Sequence, residues 1–230
     1  MEGIFWWTIF PYLCITVLIV AGFYRFMFRG KSWVAPSTEI FEKRWLRIGS
    51  VVFHYGIIFA FMGHVMGVLI PMEVYHALGV SDSLYHFMAI AGGGLAGLMV
   101  VIGLVVMLTR KFLFPRVHAH TTGGGYFTLL WLILVAGLGT YMTLIYNTTV
   151  GEYEYRESIG PWFRSLFTLS PRSDLMLEVP ILFKVHILLS FALFAAIPFT
   201  RLVHMFSLPV RYPMRAPQQY RSRDGFDKKY

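Results

Sequence analysis

The sequence predicts an all-α integral membrane protein of five transmembrane helices, with its N-terminus outside and its C-terminus in the cytoplasm. Three observations carry this expectation. Hydrophobic residues make up 57% of the 230 and charged residues only 14%, whereas about a quarter of a soluble domain is charged. Five apolar runs are each long enough to cross the roughly 30 Å apolar layer of a bilayer. Sixteen of the twenty Lys and Arg, counting helix-edge residues, fall on alternate connections, the asymmetry expected where cytoplasmic loops collect positive charge. The net charge of +8 is thereby accounted for without nucleic acid, and the chain reads as one membrane domain, multi-pass in the cell membrane.

The first run covers about 4–27. It has no cationic segment before it and ends in Tyr24-Arg25-Phe26 rather than at small residues, so it reads as a retained helix and not as a cleaved signal. Residues 28–49 carry Arg29, Lys31, Lys43, Arg44 and Arg47 against Glu39 and Glu42, a cytoplasmic loop in which Pro36-Ser37-Thr38-Glu39 suggests the cap of a short surface helix. The second run, 50–70, ends at Pro71. An acidic outer connection leads to the third, 86–108, rich in glycine; Arg110, Lys111 and Arg116 mark the next inner loop. The fourth run, 126–146, has no ionisable group besides tyrosines. The outer connection that follows is the longest, and 160–167 within it reads as a short interfacial helix. The fifth run, 180–206, leads into a basic tail, 207–230.

Two runs carry histidines inside them: His54 and His64 in the second, His186 and His204 in the fifth. Ionisable side chains in a membrane segment are costly and mark ligand sites, ion paths or electron carriers. With antiparallel helices, His54 and His204 lie toward the cytoplasm and His64 and His186 toward the outside. Two stacked pairs of neutral imidazoles on facing helices suit axial ligation of two haems between helices 2 and 5. Gly49, Gly56, Gly63 and Gly67 surround the first pair and allow close approach, by a porphyrin or by another helix. With no Cys-x-x-Cys-His in the chain and Cys14 its one cysteine, covalent haem and all-thiolate clusters are excluded and b-type haem is left. The competing reading of the histidines is a haem-free, proton-linked transporter. One geometric conflict stands: a ten-residue spacing in helix 2 spans about 15 Å, whereas eighteen residues of continuous helix 5 span about 27 Å.

Among the other histidines, His118 and His120 read as solvated loop residues and His76 has no evident partner. His86, after Tyr85 at the outer interface, is either a plain interfacial residue or a proton acceptor for a quinol. Lys184 is the other polar group at that depth, with snorkelling as its plain explanation.

Phe53-His54, Gly63-His64, Met88-Ala89 through Gly93, Pro115-Arg116, Lys184-Val185-His186 and Pro198-Phe199-Thr200-Arg201-Leu202-Val203-His204 together resemble the gamma subunit of respiratory nitrate reductase, a di-haem cytochrome b anchor, over nearly the whole chain. The resemblance implies two haem b groups, with His64 and His186 on the outer iron and His54 and His204 on the inner one. It also implies quinol as electron donor near the outer face, and partners on the cytoplasmic face: an iron–sulfur beta subunit and a molybdenum-containing alpha subunit that holds the nitrate site. Arg201 would pair with a haem propionate or is one more positive-inside residue, and Arg110 and Arg116 have the same two readings. Some family members carry a lysine at the start of the third helix for quinol; here Tyr85-His86-Phe87-Met88 stands in its place, so His86, with Tyr85, Gly67 and Lys184, makes up the candidate quinol site. The nearest competing reading is a di-haem anchor of a sulfite, heterodisulfide or hydrogenase complex.

Overall fold

The computed structural model describes residues 2–33, 35–151 and 153–207; nearly all of the tail expected at 207–230 lies outside them. Five helices are long and apolar enough to cross a membrane: α1 (Phe5–Phe28), α2 (Arg44–Leu69), α3 (Asp82–Leu113), α4 (Gly123–Thr149) and α5 (Ile181–Phe199). Among the described residues there is no strand. The short outer helix expected near 160–167 is present as Ile159–Phe167.

Local chemistry sets the ends. The Ser81 hydroxyl accepts from the Leu84 N–H at the start of α3, and Thr122 does the same for Gly125 at the start of α4, each satisfying a donor that the first turn leaves open. Pro180, which has no N–H to lose, precedes α5. Helices α2 and α3 run past the apolar stretches because their ends tolerate charge at the rim. α2 begins at Arg44 rather than at residue 50, and the Glu42 carboxylate accepts from the N–H groups of Trp45 (2.8 Å) and Leu46 (3.4 Å) in its first turn.

From α2 onward, neighbours in sequence pack side by side, α2 on α3, α3 on α4 and α4 on α5, and α5 packs on α1. The tightest approach is between α2 and α3. A Cβ added at Gly103 would lie 2.6 Å from the Phe53 nitrogen and 2.7 Å from the Gly49 carbonyl oxygen, and one added at Gly56 would lie 2.8 Å from the Val100 nitrogen. Gly49 and Gly56 are therefore helix-packing residues, while Gly63 faces open space. Helices α2 and α5, which carry three of the four membrane histidines, are not packed closely on one another. A buried cluster at the acidic end joins α1, α5 and the Ile159–Phe167 helix around Trp162, whose indole N–H donates to the Trp7 carbonyl at 2.8 Å. Side chains such as Ile19 and Phe23 point outward and exposed, as lipid-facing residues do.

Two expectations need correction. Residues 36–43 form a turn rather than a surface helix, because a buried arginine holds them. The Arg110 Nε donates to the Glu42 carboxylate at 2.6 Å, Nη1 to the Thr38 hydroxyl at 2.9 Å, and Nη2 to the carbonyls of Thr38 (2.9 Å) and Glu42 (2.6 Å). Arg110 is thereby committed within the chain, and is not left over for a propionate. The second correction concerns the fifth run, which is not one helix to residue 206. Regular α-helix ends at Ala196, a tight turn covers Ile197–Phe199, Thr200 is extended (φ −115°, ψ 178°), and a separate tight turn spans Arg201–Phe206. Arg25 of α1 secures the break by donating to the carbonyls of Pro198 (2.6 Å) and Thr200 (3.0 Å).

Replacing Gly103 with Ala is expected to push α2 and α3 apart, since both clashing groups are backbone, at a cost of about 1–3 kcal/mol, seen as a lower denaturation temperature in detergent. Arg110→Gln strands Glu42 at a buried position and is expected to cost about 3 kcal/mol; a variant as stable as the parent would show that the clamp is dispensable.

Candidate functional site

The four membrane histidines come together as two pairs across the gap between α2 and α5. His64 and His186 have ring centres 6.3 Å apart and planes 19° from parallel. His54 and His204 have ring centres 6.4 Å apart, with planes at 66°. The break in α5 removes the conflict between the spacings. Ten residues of regular helix, about 15 Å, separate His186 from Ala196, which is the length from His54 to His64. The chain then leaves the helical path and returns His204 beside His54.

Within three of these histidines the ring orientation is set by the backbone. Nδ1 lies 2.7 Å from the Ser50 carbonyl in His54, 2.6 Å from the Ala60 carbonyl in His64 and 2.6 Å from the Arg201 carbonyl in His204. A carbonyl only accepts, so Nδ1 carries the proton in each and Nε2 keeps its lone pair. The Nδ1 of His186 is buried with no hydrogen-bond partner. Its ring lies instead against α4 at Gly139, where an added Cβ would come 3.0 Å from Cε1. Among the described residues no group of three or more His, Cys, Asp or Glu is placed to hold a metal ion, so each pair offers two protein ligands and no more.

A second cluster lies at the acidic end. His86 Nε2 is 3.0 Å from a Glu154 oxygen. Arg156 is almost wholly buried, at 3% exposure. It holds both oxygens of Glu154 at 2.7 Å, reaches Asp82 at 3.1 Å and stacks over the Tyr85 ring at 4.0 Å. Asp82 also pairs with His76 at 3.2 Å, the partner that the sequence left unnamed. Burial pushes the Glu154 carboxyl up, but the hydrogen bonds and charge of Arg156 outweigh it and hold the group below the usual carboxylate range. The same bonds raise the Arg156 guanidinium further. Tyr85 and Tyr155 share a 3.1 Å hydrogen bond, and Gly67 sits against both hydroxyls, with no room for a side chain.

Of the four quinol-site candidates, His86, Tyr85 and Gly67 therefore share one cluster. Lys184 is separate, donating to the Leu177 carbonyl at 2.8 Å from an exposed position. Arg201 donates to the Pro36 carbonyl at 3.0 Å, three residues from His204. His120 stacks on Phe41 and His118 meets the Tyr126 hydroxyl at 2.7 Å. Glu154 and Arg156 escaped the sequence reading because a Glu-x-Arg in an outer loop is ordinarily a solvated pair; nothing local signals that this arginine is buried.

Comparison with known proteins gives the context. The family model described as nitrate reductase gamma subunit matches residues 3–223. The nitrate reductase gamma chain of Bacillus subtilis (strain 168) is 40% identical over 97% of this chain and all of its own length. The respiratory nitrate reductase 1 gamma chain of Escherichia coli (strain K12) is 31% identical over 96% of this chain and 98% of its own. A nitrate reductase-like protein of Mycobacterium tuberculosis (strain ATCC 25618 / H37Rv) is 39% identical over 97% of this chain but only 34% of its own length. With five apolar helices and a nearly full-length match to a family model and to relatives 40% and 31% identical, the chain belongs to the nitrate reductase gamma subunit family and is a multi-pass cell-membrane protein.

Proposed function

We propose that this chain is the di-haem cytochrome b subunit of a respiratory nitrate reductase, oxidising quinol at its acidic, outer end and passing electrons to an iron–sulfur beta subunit and a molybdenum-containing alpha subunit at its basic, cytoplasmic end. The observation that carries the reading is the separation within each histidine pair. A metal–imidazole bond of about 2.0 Å, plus about 1.1 Å from nitrogen to ring centre, would put two imidazoles on opposite sides of one metal ion about 6.2 Å apart. The measured separations are 6.3 and 6.4 Å, with no direct bond between the rings to account for them. The gap between α2 and α5 supports the same fit, since a flat macrocycle supplies the bulk that keeps two ligand-bearing helices apart.

On this reading His64 and His186 hold the outer haem, and His54 and His204 the inner one. Haem b, when bound, supplies one-electron transfer across the apolar layer. The protein's own part is orientation: Nδ1–H donation to a backbone carbonyl fixes the tautomer and makes Nε2 a better ligand. At the outer end the ionised Glu154, held by Arg156, orients His86 beside it, and His86 accepts a proton from quinol. The outer solvent is close by, since Asp82 and His76, which pair beside Arg156, are both about half exposed.

Changing His64 or His186 to Ala is expected to halve the b-type haem in a reduced-minus-oxidised spectrum and to stop reduction by quinol. A full haem complement in either variant would sink the ligand assignment. His86→Ala is expected to cut quinol turnover about 10- to 100-fold with both haems retained, and unchanged kinetics would remove it from the site. Because the Glu154 carboxyl is held low, its stabilising contribution is present above the ordinary value of about 4.3 and is lost as pH falls through the lowered one. Glu154→Gln should therefore cost about 2 kcal/mol at pH 7 and progressively less in strong acid, measured as denaturation temperature against pH.

A further inference from the structure

Three of the four membrane histidines have their rings set by a carbonyl of their own segment, but His186 has no such bond within its helix. What meets its ring is the neighbouring helix. A Cβ added to Gly139 of α4 would lie 3.0 Å from Cε1 of His186, 3.6 Å from Nδ1 and 3.7 Å from Nε2, so the ring rests where a side chain of α4 would otherwise stand. The contact is braced on both sides. Three residues before His186 the Phe183 ring meets that of Tyr146 at 5.9 Å, and three residues after it the Leu189 carbonyl accepts from the Trp131 indole at 3.2 Å. Tyr146 and Trp131 both belong to α4, so α5 does not shift to relieve a crowded ring without disturbing one of these contacts. A glycine inside a helix weakens that helix. At Gly139 its absent side chain is used, whereas a Cβ added at Gly137, two residues earlier, would meet nothing within 4 Å.

We infer that Gly139 is a positioning residue for the outer pair: by leaving its place on α4 to the His186 ring, it sets that ring 6.3 Å from His64 with planes 19° apart. The inference rests on the di-haem reading above and adds a residue from outside both ligand-bearing helices. Groups that orient a metal-bound imidazole tune the metal. Helix α4, which holds no ligand, thereby governs the outer electron carrier and leaves the inner one alone.

The test is low-temperature EPR with an optical redox titration of the full chain in its native membranes, for the parent, Gly139→Ala, Gly139→Val and Gly137→Ala. A His64→Ala background identifies the signals of the inner haem. An alanine at 139 asks the ring to give by only a few tenths of an ångström, so the expected result is a shifted outer low-spin signal and outer potential with both haems retained. The larger valine is expected to remove the outer haem and halve the b-type spectrum. Loss already with alanine, or an effect confined to valine, supports the inference too. In each case the inner signal keeps its parental position, which reports in the same molecule that the bundle has folded, and Gly137→Ala matches the parent. Parental outer signals in both variants at 139 overturn the inference. Joint loss or shift of both haems also overturns it, by marking general packing, as does an equal effect of Gly137→Ala. A parent with no b-type spectrum would instead defeat the di-haem reading itself.

Discussion

A histidine carried into the apolar layer of a membrane has to dispose of its ring N–H without water, and that constraint organises the site. For His54 and His64 the answer lies within the same helix, four residues back, where the carbonyls of Ser50 and Ala60 accept from Nδ1. For His204 it lies within its own tight turn, at Arg201. Every such bond does two things: it satisfies a donor that would otherwise cost several kcal/mol in hydrocarbon, and it leaves the lone pair of Nε2 uncommitted. The paired imidazoles lie 6.3 and 6.4 Å apart, centre to centre. His186 is the exception: it has no such bond within its own helix, and its ring lies against α4 at Gly139.

The gap itself depends on what happens on the other side of α2. Gly49, Gly56 and Gly103 let α2 and α3 meet backbone to backbone, so α2 is fixed to α3 without any contribution from α5. Helix α5 is fixed to α4 and α1, in part through the Trp131 indole N–H, which donates to the Leu189 carbonyl at 3.2 Å. The Ile159–Phe167 helix bridges back to α2, with Arg164 donating to the Val68 carbonyl at 2.9 Å. Two rigid sides are thus joined at the acidic end, and the histidines hang in the space between them.

Much of this was legible in the sequence. The five spans follow from length and hydropathy, and the pairing of the histidines follows from antiparallel order alone. What escaped the sequence are features that depend on distant partners. Nothing in residues 36–43 says that Arg110, about seventy residues later, will hold them as a turn; their local signals favour a helix cap. The apolar run through 206 conceals the break after Ala196, because Pro198 and Thr200 are tolerated in membrane helices when another group satisfies the freed carbonyls. That group is Arg25, on a helix with no histidine. The burial of Arg156 is likewise a tertiary fact, set by Tyr85, Asp82 and Glu154 meeting from two separate connections.

The break in α5 also bears on biogenesis. Arg25 belongs to the first span to leave the ribosome, while the carbonyls it must find, those of Pro198 and Thr200, belong to the last, more than 170 residues later. Until that contact closes, His204 has no fixed position opposite His54, whereas His64 and His186 both stand on regular helices that are complete earlier. The basic end of the site thus depends on a contact between the first and the last span of the chain.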